Sequence, residues 1–274
     1  MGGSDDAARF VRERPRGRLY PSALRELAAS AFDLVFPPRC AACWSGLPTA
    51  RSPFCTTCEG ALARQREVAA CPTCAASVAP YEVSHGHCSQ CRKKDRGIAG
   101  MVRVGPYHSL LGQLVRAYKY HDKGRLEPVL GRWLADAVQS ACWRERVEAV
   151  VSVPTHWRRQ LLRASYPADA LATIIARRTS LPRVSLLRRI KAGPHQVGLS
   201  YREREKNVRG AFALRPGVKL SDARLLLIDD VRTTGATLGE CAKVLRRAGA
   251  KEVYAAVVVR VRFSYADRVP AASI

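Results

Sequence analysis

Leu225-Leu226-Leu227-Ile228-Asp229-Asp230-Val231-Arg232-Thr233-Thr234-Gly235-Ala236-Thr237 is the stretch that decides the fold. Its apolar run suits a strand buried on both faces, the pattern of a parallel sheet. Two adjacent acids end the run, a loop of Thr and Gly follows, and a helical pattern takes over at 237–248. In an open parallel sheet, ligands bind beyond the C-terminal ends of the strands. Loop amides and a helix N-terminus together make a cradle for an anion. The hydroxyls of Thr233, Thr234 and Thr237 add donors, and Gly235 lets the backbone come close. Arg232 and Ala236 complete the expected ligand contacts. The loop is neither G-x-x-x-x-G-K-[ST] nor G-x-G-x-x-G. Two carboxylates beside a phosphate cradle make sense if the ligand also presents hydroxyls, as a ribose 5-phosphate does. Capping of the following turn accounts for one acid and one Thr, not for the whole set.

Outward from this stretch, strand and helix patterns alternate. Residues 101–107 read as a strand, 110–120 and 126–142 as helices, and 147–153 as a short buried strand ending at Pro154. Residues 158–175 look helical apart from a break near Pro167, and 253–261 form a Val-rich strand. The strand at the centre is expected over 223–228. Alternation of this kind gives βαβ units and an α/β fold with a parallel sheet.

The N-terminal part differs. Residues 40–91 hold eight of the ten Cys and few long apolar runs, so this segment needs a staple. The eight form four C-x-x-C pairs: Cys40 and Cys43, Cys55 and Cys58, Cys71 and Cys74, Cys88 and Cys91. Each pair points two thiolates at one ion, and two pairs complete a closed tetrahedral site of the structural kind. Four pairs predict two structural zinc ions. Sequential and cross-braced pairing both fit the spacing. His85 and His87 could substitute as ligands, although four thiolates already fill each site. A redox dithiol needs one pair beside a βαβ unit, not four in a row. Cys142 and Cys241 stand alone in helical segments and read as small core residues.

Composition narrows the function class. The chain has 274 residues, 46 Lys+Arg against 23 Asp+Glu, and a net charge of +23. That imbalance points to a polyanionic partner. Arg outnumbers Lys about fourfold, which a GC-rich coding sequence also produces, but such a bias does not explain the shortage of acids. About +5 of the charge falls in residues 1–100 and about +18 in 101–274. No stretch approaches the ~18–20 apolar residues of a membrane span. The start has no apolar segment of the export type. A cytoplasmic, reducing location is therefore expected, where metal binding is the natural use of so many Cys.

At Ile228 to Thr237 the sequence resembles the phosphoribosyl pyrophosphate motif of type I phosphoribosyltransferases. Joined to the Cys array, it is similar to the ComF/GntX family of competence-associated proteins, which place a double zinc ribbon before a phosphoribosyltransferase domain. Further matching pieces are Phe36-Pro37-Pro38-Arg39-Cys40, the helix end at Lys119-Tyr120, Val153-Pro154, and residues 196–212. The resemblance covers about residues 24–262. It implies a type I phosphoribosyltransferase fold preceded by a small Cys-rich double zinc ribbon. The expected organisation is a disordered basic tail over 1–20, a helix over 21–39, the ribbons over 40–97, the phosphoribosyltransferase-like domain over 98–265 and a tail over 266–274.

The resemblance also implies chemistry. Asp229 and Asp230 would hold the ribose hydroxyls and favour oxocarbenium character at the ring. The 233–237 loop would clamp the 5-phosphate, and Mg²⁺ would accompany phosphoribosyl pyrophosphate. Lys119, Arg158, Arg159 and Arg204 are candidate contacts, the last on a flap over 191–212 that also carries His195 and Asn207. One departure stands out. Where relatives continue to Arg-Gly-Phe-Asn-Gln, this chain has Arg163-Ala164-Ser165-Tyr166-Pro167-Ala168. The Gly, Asn and Gln are absent beside the expected pyrophosphate pocket, so binding and catalysis become separate questions. The acceptor is unreadable. The expected activity is that of a phosphoribosyltransferase acting in uptake or processing of single-stranded DNA. The alternatives are a non-catalytic protein that binds single-stranded DNA on its basic face, with Trp157, Tyr118 or Tyr120 stacking on bases, or a scaffold whose ribbons dock a helicase-like competence partner.

Overall fold

A computed structural model describes residues 37–48, 52–79, 81–89, 91, 97–120, 123–154, 167–191 and 206–261. The basic tail, most of the 21–39 helix, residues 155–166, most of the flap and the C-terminal tail lie outside them. The centre is a five-stranded parallel sheet in the order β3-β9-β8-β4-β5. Its strands are β3 (Gly100–Pro106), β4 (Ala149–Ser152), β5 (Arg183–Val184), β8 (Arg224–Arg232) and β9 (Glu252–Arg260). Two short antiparallel pairs flank it: β1 (Val83–Ser84) with β2 (His87–Cys88), and β6 (Leu187–Arg189) with β7 (Phe212–Leu214). The described helices are α1 (Thr56–Arg66), α2 (Leu110–Tyr120), α3 (Lys123–Gln139), α4 (Pro167–Arg178) and α5 (Ala236–Arg247). A short 3₁₀ turn, Arg144–Arg146, leads into β4.

Strand alternation divides the core in two. Leu226, Ile228, Tyr254, Ala256 and Val150 pack with α2, α3 and α4, while Leu225, Leu227, Val253, Ala255 and Val151 pack with α5 and β7. Both faces are covered, which explains the nearly unbroken apolar runs. Three boundaries depart from the sequence reading. The central strand was expected to stop at Ile228, but β8 runs on to Arg232. Pairing of Asp229 with Val257, Val231 with Val259 and Arg232 with Arg260 carries it forward, because β9's valines extend the partner strand. Pro167 opens α4 rather than interrupting it; the first helical position needs no N–H donor. The helix expected over 126–142 ends at Gln139, so Cys142 is exposed and not a core residue, whereas Cys241 is fully buried on α5.

The Cys-rich segment does not build its core alone. Cys40, Leu47, Phe54, Cys58 and Leu62 join the cluster formed by α2 and α3. Phe54 stacks on Trp133 of α3 with ring centroids 5.7 Å apart, and the Arg66 guanidinium lies 4.8 Å from the same ring. The Leu111 N–H donates to Gln65 Oε1 at 3.0 Å. Phe54→Ala is therefore expected to cost about 3–5 kcal/mol, the range for emptying a buried aromatic site. Thermal unfolding checks this, and an unchanged midpoint would show that the first ribbon's seat on α3 contributes nothing.

Candidate ligand site and thiolate centres

The motif lies at the C-terminal edge of the sheet. Strand β8 ends at Arg232, Thr233 to Gly235 turn the chain, and α5 begins at Ala236. Gly235 has φ +78°, a left-handed conformation that L side chains rarely adopt, so Gly is required at this turn. Thr234 is buried, and its Oγ1 accepts the Ala236 N–H at 3.1 Å. The N–H groups of the following residues open the helix toward the sheet edge, where an anion is favoured.

Because β8 continues through the acids, Asp229 and Asp230 leave the strand in different directions. Asp229 lies toward α5, where burial raises the Cys241 thiol. Asp230 lies toward α2, where Lys119 Nζ stands 2.8 Å from its Oδ2. The Asp230 N–H donates to Asp229 Oδ1 at 2.9 Å. Burial, reinforced by the Asp230 charge, pushes the Asp229 carboxyl up to about 8, despite the opposing pull of Lys119. The site thus places a carboxyl whose pKa is raised beside one that carries an ion pair. Asymmetry of this kind marks functional carboxylate pairs.

The structure brings together Lys119, Asp229, Asp230 and the 233–237 turn. Arg232 is directed elsewhere: its Nη1 donates to the Cys74 carbonyl and approaches Met101 Sδ at 3.2 Å. Its place at the end of β8 turns that guanidinium toward the second ribbon. Tyr118 is fully buried and donates to the Pro167 carbonyl at 3.2 Å, which makes it a core residue and not a stacking platform. Trp157, Arg158, Arg159, His195 and Arg204 lie outside the described residues.

The eight Cys resolve into two tetrads, Cys40, Cys43, Cys55 and Cys58, and Cys71, Cys74, Cys88 and Cys91, with the four sulfurs of each within 4.8 Å of one another. Pairing is sequential, and cross-bracing is excluded. Sulfur separations of 3.7 Å for Cys43 and Cys55, 3.5 Å for Cys74 and Cys88, and 3.8 Å for Cys88 and Cys91 match a tetrahedron. Zn–S bonds of ~2.3 Å set that edge at about 3.8 Å. The donor set therefore fits zinc, and every thiol stands free of disulfides. His85 is exposed, and His87 Nδ1 lies 3.7 Å from Cys91 Sγ, outside a complete tetrad. Burial pushes Cys58 and Cys91 up, while the Ser45 hydroxyl holds Cys43 down at about 6.

Competence protein F of Haemophilus influenzae is 30% identical to this chain over 220 residues, covering 78% of this chain and 93% of that protein. The chain belongs to the competence protein F family. DNA utilization protein YhgH of Salmonella typhimurium is 30% identical over 224 residues, with 80% of this chain and 96% of that protein covered. The Escherichia coli K12 protein of the same name is 29% identical over 224 residues, again with 80% and 96% covered. Within the chain, residues 31–95 match the double zinc ribbon domain family and residues 163–269 the phosphoribosyl transferase domain family. The two domain matches agree with the thiolate tetrads and with the parallel sheet. No described helix is long and apolar enough to cross a membrane.

Proposed function

We propose that this chain binds phosphoribosyl pyrophosphate with Mg²⁺ at the C-terminal edge of its sheet and serves DNA utilization, as the names of its relatives state for them. The observation that carries this reading is the sequence of parts along β8: two adjacent carboxylates, a cation 2.8 Å from one of them, and a left-handed Gly turn opening α5. Thr233, Thr234 and the first amides of α5 take the 5-phosphate. Asp229 and Asp230 take the ribose hydroxyls, and Lys119 exchanges its ion pair for the pyrophosphate. Mg²⁺ bound with the ligand would supply positive charge to offset that of the leaving group. Transfer to an acceptor is the further step of this reading. The ribbon boundary near residue 97 and a cytoplasmic location belong to the same proposal.

The test is a thermal-shift titration with phosphoribosyl pyrophosphate, with and without Mg²⁺. Wild type is expected to show a magnesium-dependent rise. At ligand concentrations 100-fold above Kd, the linkage stabilisation is about 2.7 kcal/mol. The doubly substituted Asp229→Asn/Asp230→Asn protein is expected to show no rise. Absence of a shift in wild type would end the reading.

The charge distribution favours a second activity. One phosphoribosyl pyrophosphate engages a handful of cations, whereas residues 101–274 carry about +18. That surplus suits single-stranded DNA, and Trp44 and Tyr81, 71% and 98% exposed, offer stacking faces on the ribbons. Affinity for an oligodeoxynucleotide that falls steeply with salt supports this activity, and binding that is absent or insensitive to salt removes it.

A further inference from the structure

The second ribbon is docked on the sheet through three arginines. Arg103 of β3 donates to Ser77 Oγ at 2.8 Å, Arg260 of β9 donates to the Cys74 sulfur at 3.0 Å, and Arg232 of β8 donates to the Cys74 carbonyl. The Met101 N–H adds a backbone bond to the Pro72 carbonyl at 2.8 Å. Arg103 is 8% exposed, and burial and the charge of Arg260 pull it down to about 10, against the favourable charge of Cys74. The buried Arg103 guanidinium, with the charge of Arg260 nearby, is best served by an anion. A tetrathiolate with bound zinc carries a net charge of −2 and supplies one.

Arg232 has a second neighbour. A Cβ built on Gly235 would meet Arg232 Nε at 2.9 Å and Nη2 at 3.2 Å. The guanidinium therefore lies between the Gly235 turn and the Cys74 knuckle, touching both. Its backbone carbonyl also accepts the Val261 N–H at 2.9 Å. Arg232 is thus fixed at both ends, and the turn that follows it rests on its side chain.

We infer that Arg232 is a positioning residue that ties the 233–235 turn to the second thiolate centre, so that zinc held by Cys71, Cys74, Cys88 and Cys91 sets the shape of the anion cradle. When the ion leaves, the knuckle that presents the Cys74 carbonyl to Arg232 is no longer held in place. Arg232 then loses the anchor that supports the turn. The first tetrad has no such link among the described residues, since it packs against α2 and α3. The inference rests on the zinc ribbons and not on the proposed ligand.

Two measurements on the full chain test it, neither using a ligand. In the first, a chelator is added and cysteine alkylation is timed peptide by peptide. Arg232→Gln is expected to speed modification of Cys71, Cys74, Cys88 and Cys91 about tenfold, in line with loss of an outer partner of a metal site, and to leave the first tetrad unchanged. Arg232→Lys, which keeps the charge but not the planar fork, is expected to fall between. In the second, amide exchange of wild type is followed as metal is withdrawn. Residues 233–237 are expected to lose protection together with the second tetrad and before the centre of β8. Unchanged reactivity of the second tetrad in Arg232→Gln overturns the inference. So does a turn that stays protected after that tetrad has lost its metal. The wild-type measurement decides alone if the Gln variant does not fold.

Discussion

Withdrawing zinc is expected to collapse the chain's cooperative unfolding transition, not merely to loosen its N-terminal segment. The interior of the second ribbon consists of Cys71, Cys74, Ala76 and Cys88, with Val78, Val83 and Cys91 packed around them. Most of that small core is ligand, so little remains to hold it when the ion goes. Structural zinc in small Cys sites contributes about 10–16 kcal/mol at neutral pH. A whole domain is stable by only ~5–15 kcal/mol. The loss spreads because Phe54 and Leu62 share a cluster with α2 and α3, and because Arg232 and Arg260 bond to Cys74 from the sheet. A chelator strong enough to empty both tetrads is expected to lower the unfolding midpoint by more than ~10 °C. Metal analysis should return about two zinc per chain. One zinc, none, or a midpoint indifferent to chelation would contradict the double-ribbon account of stability.

Much of this was legible in the sequence, for identifiable physical reasons. Strands buried on both faces leave continuous apolar runs, so Leu225 to Ile228 and Val253 to Val261 announce a parallel sheet without any tertiary information. The C-x-x-C spacing fixes the ligand set because the knuckle is a local turn. Pairing between knuckles depends on how the chain returns, which spacing alone does not encode. Three features escaped for the same kind of reason. The extension of β8 to Arg232 depends on a partner strand more than twenty residues away. The seat of Phe54 on Trp133 joins segments whose separate patterns give no hint of contact. The guanidinium of Arg232, at the head of the phosphate loop, turns toward Cys74 because of where the second ribbon sits, which no local pattern encodes. The exposed Cys142 missed its predicted helix by three residues, a boundary error that reversed its burial.

Asp229→Asn is expected to make the protein more stable while removing a group the proposed site needs. Burial, followed by the Asp230 charge, raises the folded-state pKa of Asp229 to about 8 from an ordinary value of 3.8. Between those values the folded chain keeps a proton that the unfolded chain has released. Stability then falls as pH rises, because protons bound by the native state exceed those bound by the unfolded state. Above about 8 the carboxyl is ionised in both states and the penalty stays constant. Asn carries no such penalty. Its advantage over Asp should therefore be near zero at pH 4, grow through neutrality and level off above pH 8. An advantage on the order of 2 kcal/mol at pH 8 raises the midpoint by about 4–8 °C in a chain of this size. The measurement is the difference in unfolding midpoint between variant and wild type at pH 5, 7 and 9. A difference that shrinks with pH, or a destabilised variant at pH 8, would mean that Asp229 is stabilised as an anion by its surroundings. Growth with pH, together with loss of the magnesium-dependent ligand shift, is the signature of a carboxylate kept at a cost to stability for the sake of its site.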